Sequence, residues 1–102
     1  MAFRCWVSFD LGLRGEYDTV YQWLDELNAK ECGDSVATFV TDKTVDEISD
    51  EVSHMVGDEK VRIYVIGRKA DDSLTGRFAV GHRKQAPWSG YAHREGEVDE
   101  EQ

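Results

Sequence analysis

The stretch that decides the fold is residues 3–10, which read Phe3-Arg4-Cys5-Trp6-Val7-Ser8-Phe9-Asp10. Every odd-numbered position in it is apolar, and these positions alternate with polar residues and Trp6. The period of two predicts a β-strand whose odd-numbered side chains face the core. Trp6 makes the opposite face partly apolar as well, which favours a central strand covered on both sides over an exposed edge strand.

Two amphipathic helices and three further strands are predicted after this strand. Apolar residues at helical spacing predict helices over residues 16–29 and 45–56, the second beginning with a Thr44–Glu47 capping box and ending at Gly57 as a left-handed cap. Residues 35–41 and 75–80 have strand composition, and residues 61–67 are apolar enough to predict a buried strand. The Gly33-Asp34 turn also allows a short strand at residues 30–32.

This order of elements predicts an α+β sandwich in which two helices cover one face of a sheet of about four strands. With the short strand at 30–32 the order becomes βαββαβ, the ferredoxin-like arrangement. We therefore predict a single ferredoxin-like domain over residues 1–94. Residues 95–102 hold five acids and one apolar residue, so we expect an acidic disordered tail.

Charge is distributed unevenly along the 102 residues, which carry a net charge of −9. Residues 60–94 hold eight Lys/Arg against two Asp/Glu, whereas the rest of the chain is acidic. The acidic body argues against general nucleic-acid binding, and the basic segment allows a local anion site. No apolar run is long enough for a membrane span, and two cysteines without an export signal predict a cytoplasmic protein with reduced thiols.

Several short motifs resemble the SinR-like proteins, the VapD toxins and the small CRISPR-associated ferredoxin-fold nucleases. They are a first strand ending in Phe9-Asp10-Leu11, a strand preceded by Asp34-Ser35-Val36, and a late Trp88-x-Gly90-Tyr91. The resemblance implies a homodimer built by pairing sheets. In the nuclease branch it also implies a divalent metal held by the first-strand Asp of both subunits, which is Asp10 here.

Asp10 is the candidate catalytic and metal-binding residue. It lies at the end of the first predicted strand, and Mg²⁺ requires only one or two carboxylates because it keeps several waters. A pair of symmetry-related Asp10 side chains would therefore be sufficient. The alternative is a strand-end Asp whose side chain caps the following turn.

The basic segment supplies candidate nucleic-acid-binding residues, namely Arg77, His82, Arg83 and Lys84. Single-strand binders combine such basic groups with aromatic side chains on which bases stack, and Trp88 and Tyr91 are available for stacking. The alternative is that the cations solvate a strand edge while the aromatics pack on the sheet or on a partner. Pro87, Trp88 and Tyr91 are then the predicted dimer interface.

Two functional hypotheses follow from the sequence. The first is a homodimeric ferredoxin-like protein of the SinR/VapD type, with metal-dependent phosphodiesterase activity on nucleic acid. The second is a non-catalytic module, inhibitor-like or antitoxin-like, whose acidic helices bind a basic protein partner.

Overall fold

The computed structural model describes residues 2–12, 17–57 and 60–92, so the predicted tail at 95–102 lies outside the described residues. Seven elements follow one another: β1 (Phe3–Asp10), α1 (Tyr17–Glu26), β2 (Lys30–Glu31), β3 (Val36–Thr41), α2 (Val45–Met55), β4 (Arg62–Arg68) and β5 (Leu74–Val80). The predicted helices and strands are all present, including the short strand β2 before Gly33.

The sheet has the order β2-β3-β1-β4-β5, and each neighbouring pair is antiparallel. The class is α+β, as expected, but the sheet has five strands instead of about four. The additional strand arises because both the short β2 and the C-terminal β5 pair with the sheet. β1 lies in the middle of the sheet, as its apolar alternation predicted.

Both helices pack on the face of the sheet that carries the odd-numbered side chains of β1. Cys5, Val7 and Phe9 are buried there with apolar residues of α1 and α2. The Trp23 ring of α1 meets the Phe39 ring of β3 edge-on, with ring centroids 5.7 Å apart. The indole Nε1 of Trp23 donates a hydrogen bond of 3.0 Å to Glu51 of α2. We call this side of the sheet the helix face.

The opposite side, which we call the open face, is formed by the even-numbered side chains of β1, β3 and β4 and by their partners on β5. No helix among the described residues covers it. The expectation that β1 is covered on both sides is therefore wrong for the described chain. The prediction of a buried strand at 61–67 is confirmed for one face, because Val61, Ile63 and Val65 are buried. The other face, with Arg62, Tyr64 and Ile66, is partly exposed.

Helix α2 begins as the sequence predicts. Thr44 accepts a hydrogen bond from the Glu47 backbone N–H, and the Glu47 carboxylate accepts one from the Thr44 N–H. The end of α2 differs from the prediction, because Val56 caps it in an extended conformation and Gly57 has no positive φ. No helix in the described part of the chain is long and apolar enough to cross a membrane.

Gly76 of β5 makes room for an aromatic ring on the open face. A Cβ atom added at this glycine would lie 2.6–2.8 Å from the ring and hydroxyl of Tyr64. Tyr64 also meets Phe78 edge-on, with ring centroids 4.8 Å apart. The glycine and the two aromatic side chains therefore form one packed unit across β4 and β5.

Substitution Gly76→Ala should push the Tyr64 ring aside and destabilise the fold by about 1–2 kcal/mol, the usual cost of overpacking. Gly67→Ala is the matched control, because its Cβ would be 3.6 Å from its nearest neighbours, an ordinary contact distance. Chemical denaturation of both variants tests the arrangement. Equal stability of the two variants would show that Tyr64 does not lie over Gly76.

Candidate nucleic-acid interface

The open face is unusually apolar for a sheet surface that no helix covers. Its aromatic and aliphatic side chains include Trp6, Tyr64, Ile66 and Phe78, all partly buried, while Leu74 is 65% exposed and Val40 is 51% exposed. A solvated face of an antiparallel sheet normally carries polar side chains. Contiguous exposed apolar surface is typical of interaction sites, so this face is a candidate for one.

A depression of about 320 Å³ lies at the Asp10 end of β1. We call it the arginine depression, and its lining residues are Ser8, Asp10, Arg62, Tyr64, Phe78 and Arg83. Asp10 and Arg62 are directly opposite each other in the β1–β4 register, which brings Asp10 Oδ2 to 3.8 Å from Arg62 Nη2. The Arg83 guanidinium lies 5.7 Å from the centre of the Phe78 ring.

A second depression of about 330 Å³ adjoins the first and shares Ser8 and Tyr64 with it. We call it the apolar depression, and it is otherwise lined by Trp6, Val36, Ile66 and Leu74. The two depressions place aromatic side chains next to arginines on one continuous face. That combination is the one that single-strand binding proteins use to hold bases and phosphates.

The structure separates the residues that the sequence grouped as nucleic-acid-binding. Arg83 lines the arginine depression with Asp10, but Arg77 lies on the helix face, where its Nη1 is 2.7 Å from Asp46 Oδ1 of α2. Arg77 is opposite the buried Val65 in the β4–β5 register, so its side chain points away from the open face. His82 is exposed in a different depression near the end of α2, and Lys84 is exposed but lines neither open-face depression.

The open face also contains binding candidates that sequence reasoning missed, namely Trp6, Arg62, Tyr64 and Phe78. The prediction of a buried strand at residues 61–67 gave no reason to consider Arg62 and Tyr64 as surface residues. A signal for them was present, because Val61, Ile63 and Val65 alternate with Arg62 and Tyr64 in the sequence. Strict alternation predicts one buried and one exposed face.

The predicted dimer-interface residues extend away from the core. Pro87 is exposed, Trp88 is 73% exposed and Tyr91 is 84% exposed. Two backbone hydrogen bonds, Ser89 N–H to Ala86 O and Tyr91 N–H to Trp88 O, shape this segment into turns. In the single chain these aromatics therefore do not pack on the sheet.

The acidic residues of α2 are largely engaged within the chain. Asp46 pairs with Arg77, and Glu47 forms the capping box. Glu51 accepts hydrogen bonds from Lys43 and Trp23, and the bond from Lys43 is the main reason that the pKa of its carboxyl is lowered. This arrangement reduces the negative surface that α2 can offer a basic protein.

Metal ligands and cysteine thiols among the described residues are the remaining candidate chemical groups. Among the described residues, no group of three or more His, Cys, Asp or Glu side chains is arranged to hold a metal ion. Within the described part of the chain, Asp10 therefore belongs to no such group. Burial raises the pKa of the Cys5 thiol to about 11, so this thiol is protonated at neutral pH and belongs to the core.

Comparison of the chain with protein families, curated proteins and solved structures yields no match. The resemblance to the SinR-like and VapD group therefore stays a prediction.

Proposed function

We propose that this chain is a ferredoxin-like domain that binds single-stranded nucleic acid on the open face of its sheet. The observation that carries the proposal is the presence of Tyr64, Phe78, Arg62 and Arg83 around one depression on an uncovered face. The strand order β2-β3-β1-β4 supports the ferredoxin-like assignment, since it is the order of a βαββαβ sandwich, with β5 added at the edge.

Local charge supports nucleic acid as the ligand despite the net charge of −9. The lining of the arginine depression contains two arginines and one carboxylate, while α2 holds four acids on the other side of the sheet. The Arg83 guanidinium lies close to an aromatic ring, an arrangement that suits contact with a stacked base or its phosphate. Two arginines would neutralise about two phosphates, so the affinity should fall only weakly with salt, with a log–log slope between about −1 and −2.

Binding should weaken when the aromatic or cationic part of the depression is removed. Tyr64→Ala deletes a stacking surface and should weaken binding of an eight-nucleotide single strand about tenfold, because stacking contributes about 1–3 kcal/mol per base. Arg83→Ala should weaken binding as well, and the slope of log affinity against log salt concentration should become less negative by about 1. Fluorescence anisotropy with labelled RNA and DNA strands of mixed sequence measures both effects.

Arg77→Ala is the matched control, because it removes the same charge from the helix face. It should leave the affinity within about twofold of wild type, provided that its melting temperature shows a folded protein. The proposal is contradicted if wild type binds neither strand. It is contradicted equally if Arg77→Ala and Arg83→Ala lower the affinity by the same factor.

A second candidate function is metal-dependent cleavage by a homodimer. It is favoured by the position of Asp10, whose side chain is 64% exposed at the end of β1 on the open face. It is favoured also by Pro87, Trp88 and Tyr91, whose exposed apolar surface would be covered by a second copy. Asp10 from each of two copies meets the requirement of Mg²⁺ for one or two carboxylates, and bound Mg²⁺ would polarise a phosphodiester oxygen.

Light scattering at micromolar concentration should give twice the chain mass, and Mg²⁺ should raise the melting temperature of this dimer in proportion to occupancy. Asp10→Asn keeps the shape of the side chain and removes its charge, so it should remain a dimer, melt equally with Mg²⁺ or chelator, and lose any cleavage of single-stranded RNA or duplex DNA. A monomeric wild type without a Mg²⁺ shift would rule out this candidate and leave the binding proposal intact.

A further inference from the structure

The negative charge of Asp10 is unexpected in a depression that is proposed to bind phosphates. It is the only carboxylate among the described residues that line the arginine depression. A carboxylate repels a phosphate, so on this lining it opposes the attraction that Arg62 and Arg83 provide. A ligand that also brings hydrogen-bond donors to the same place would turn this carboxylate into a favourable contact.

The Asp10 oxygens are accessible to such donors. The distance of 3.8 Å from Asp10 Oδ2 to Arg62 Nη2 exceeds the 2.7–2.9 Å of a charge-assisted hydrogen bond. The Asp10 side chain is 64% exposed, and the Tyr64 and Phe78 rings lie in the same lining. A planar ligand that lies against an aromatic ring of this lining would therefore present its edge to the Asp10 carboxylate.

Among the nucleobases, guanine carries the donor pattern that fits a carboxylate. Its N1–H and N2 amino group are adjacent donors on one edge, so both carboxylate oxygens can accept at the same time. Adenine and cytosine place a ring-nitrogen acceptor beside their amino group on that edge, and uracil places its single N–H between two carbonyl oxygens. Each of those edges would bring an acceptor against the Asp10 carboxylate.

We infer that Asp10 makes the open face selective for guanine in single strands, accepting from N1–H and the N2 amino group. The inference rests on the proposed nucleic-acid binding and identifies its preferred substrate. Tyr64 contacts the face of the base and Phe78 supports the Tyr64 ring edge-on, while Arg62 and Arg83 contact the neighbouring phosphate. The Watson–Crick edge of guanine is free only when the base is unpaired, so a duplex that contains the same guanine is a poor ligand.

The test uses eight-nucleotide oligouridine probes with one central guanosine, inosine or adenosine, measured by anisotropy with chelator present. Inosine lacks only the N2 amino group, so it isolates one of the two hydrogen bonds. Wild type should bind the guanosine probe about tenfold more tightly than the inosine probe, because one hydrogen bond to a charged group contributes about 1.5 kcal/mol or more. The adenosine probe should bind no better than the inosine probe.

Asp10→Asn should remove the preference, giving equal affinities for the guanosine and inosine probes. Loss of the negative charge also removes its repulsion of the phosphates in every probe, so the guanosine-to-inosine ratio, and not the absolute affinity, is the readout. Asp25→Asn makes the same charge change on the exposed surface of α1 and should keep the wild-type ratio.

The outcomes distinguish a failure of the proposed nucleic-acid binding from a failure of the proposed guanine selectivity. If wild type binds no probe, the proposed function itself is contradicted. If wild type binds guanosine and inosine probes equally, or if Asp10→Asn keeps the preference, binding stands and the selectivity is overturned. A preference that appears only with Mg²⁺ and disappears in chelator would overturn the inference in favour of a metal role for Asp10.

Discussion

The fold depends on the packing of both helices against the same face of the sheet. Both helices pack against the odd-numbered side chains of β1, where Trp23 of α1 meets Phe39 of β3 and reaches Glu51 of α2. This contact brings the two helices together on the same face. The aromatic side chains of the other face remain at the surface because no helix in the described chain packs there. Packing of both helices on one face therefore forms the core and leaves the candidate interface exposed.

The same constraint separates the charges. Acids on α2 pair with cations that lie on or near the helix face, such as Arg77 and Lys43. Arg62 and Arg83 remain on the open face, close to Tyr64 and Phe78. The molecule therefore offers a basic aromatic surface although its net charge is −9. Net charge alone predicts poor binding to nucleic acid, whereas the local distribution predicts a confined site.

Much of the fold could be predicted from the sequence because its signals are local. The alternation in residues 3–10, the Thr44–Glu47 capping box and the Gly33-Asp34 turn each specify structure within a few residues. The side of the sheet on which Arg77 lies could not be predicted, because it depends on the register of β5 against β4. Asp10 and Arg83 were recognised individually, but their shared depression with Arg62 results from strand pairings between distant parts of the chain.

The central claim is that ligand binds to the open face, and two tryptophans report on the two faces directly. The Trp6 side chain lies on the open face, whereas Trp23 Nε1 is hydrogen-bonded to Glu51 on the helix side. A ¹⁵N-resolved NMR titration of the full chain with a single-stranded oligonucleotide follows both indole N–H signals. The account predicts that the Trp6 signal shifts with occupancy while the Trp23 signal stays in place. A shift of Trp23 with no change at Trp6 would contradict it.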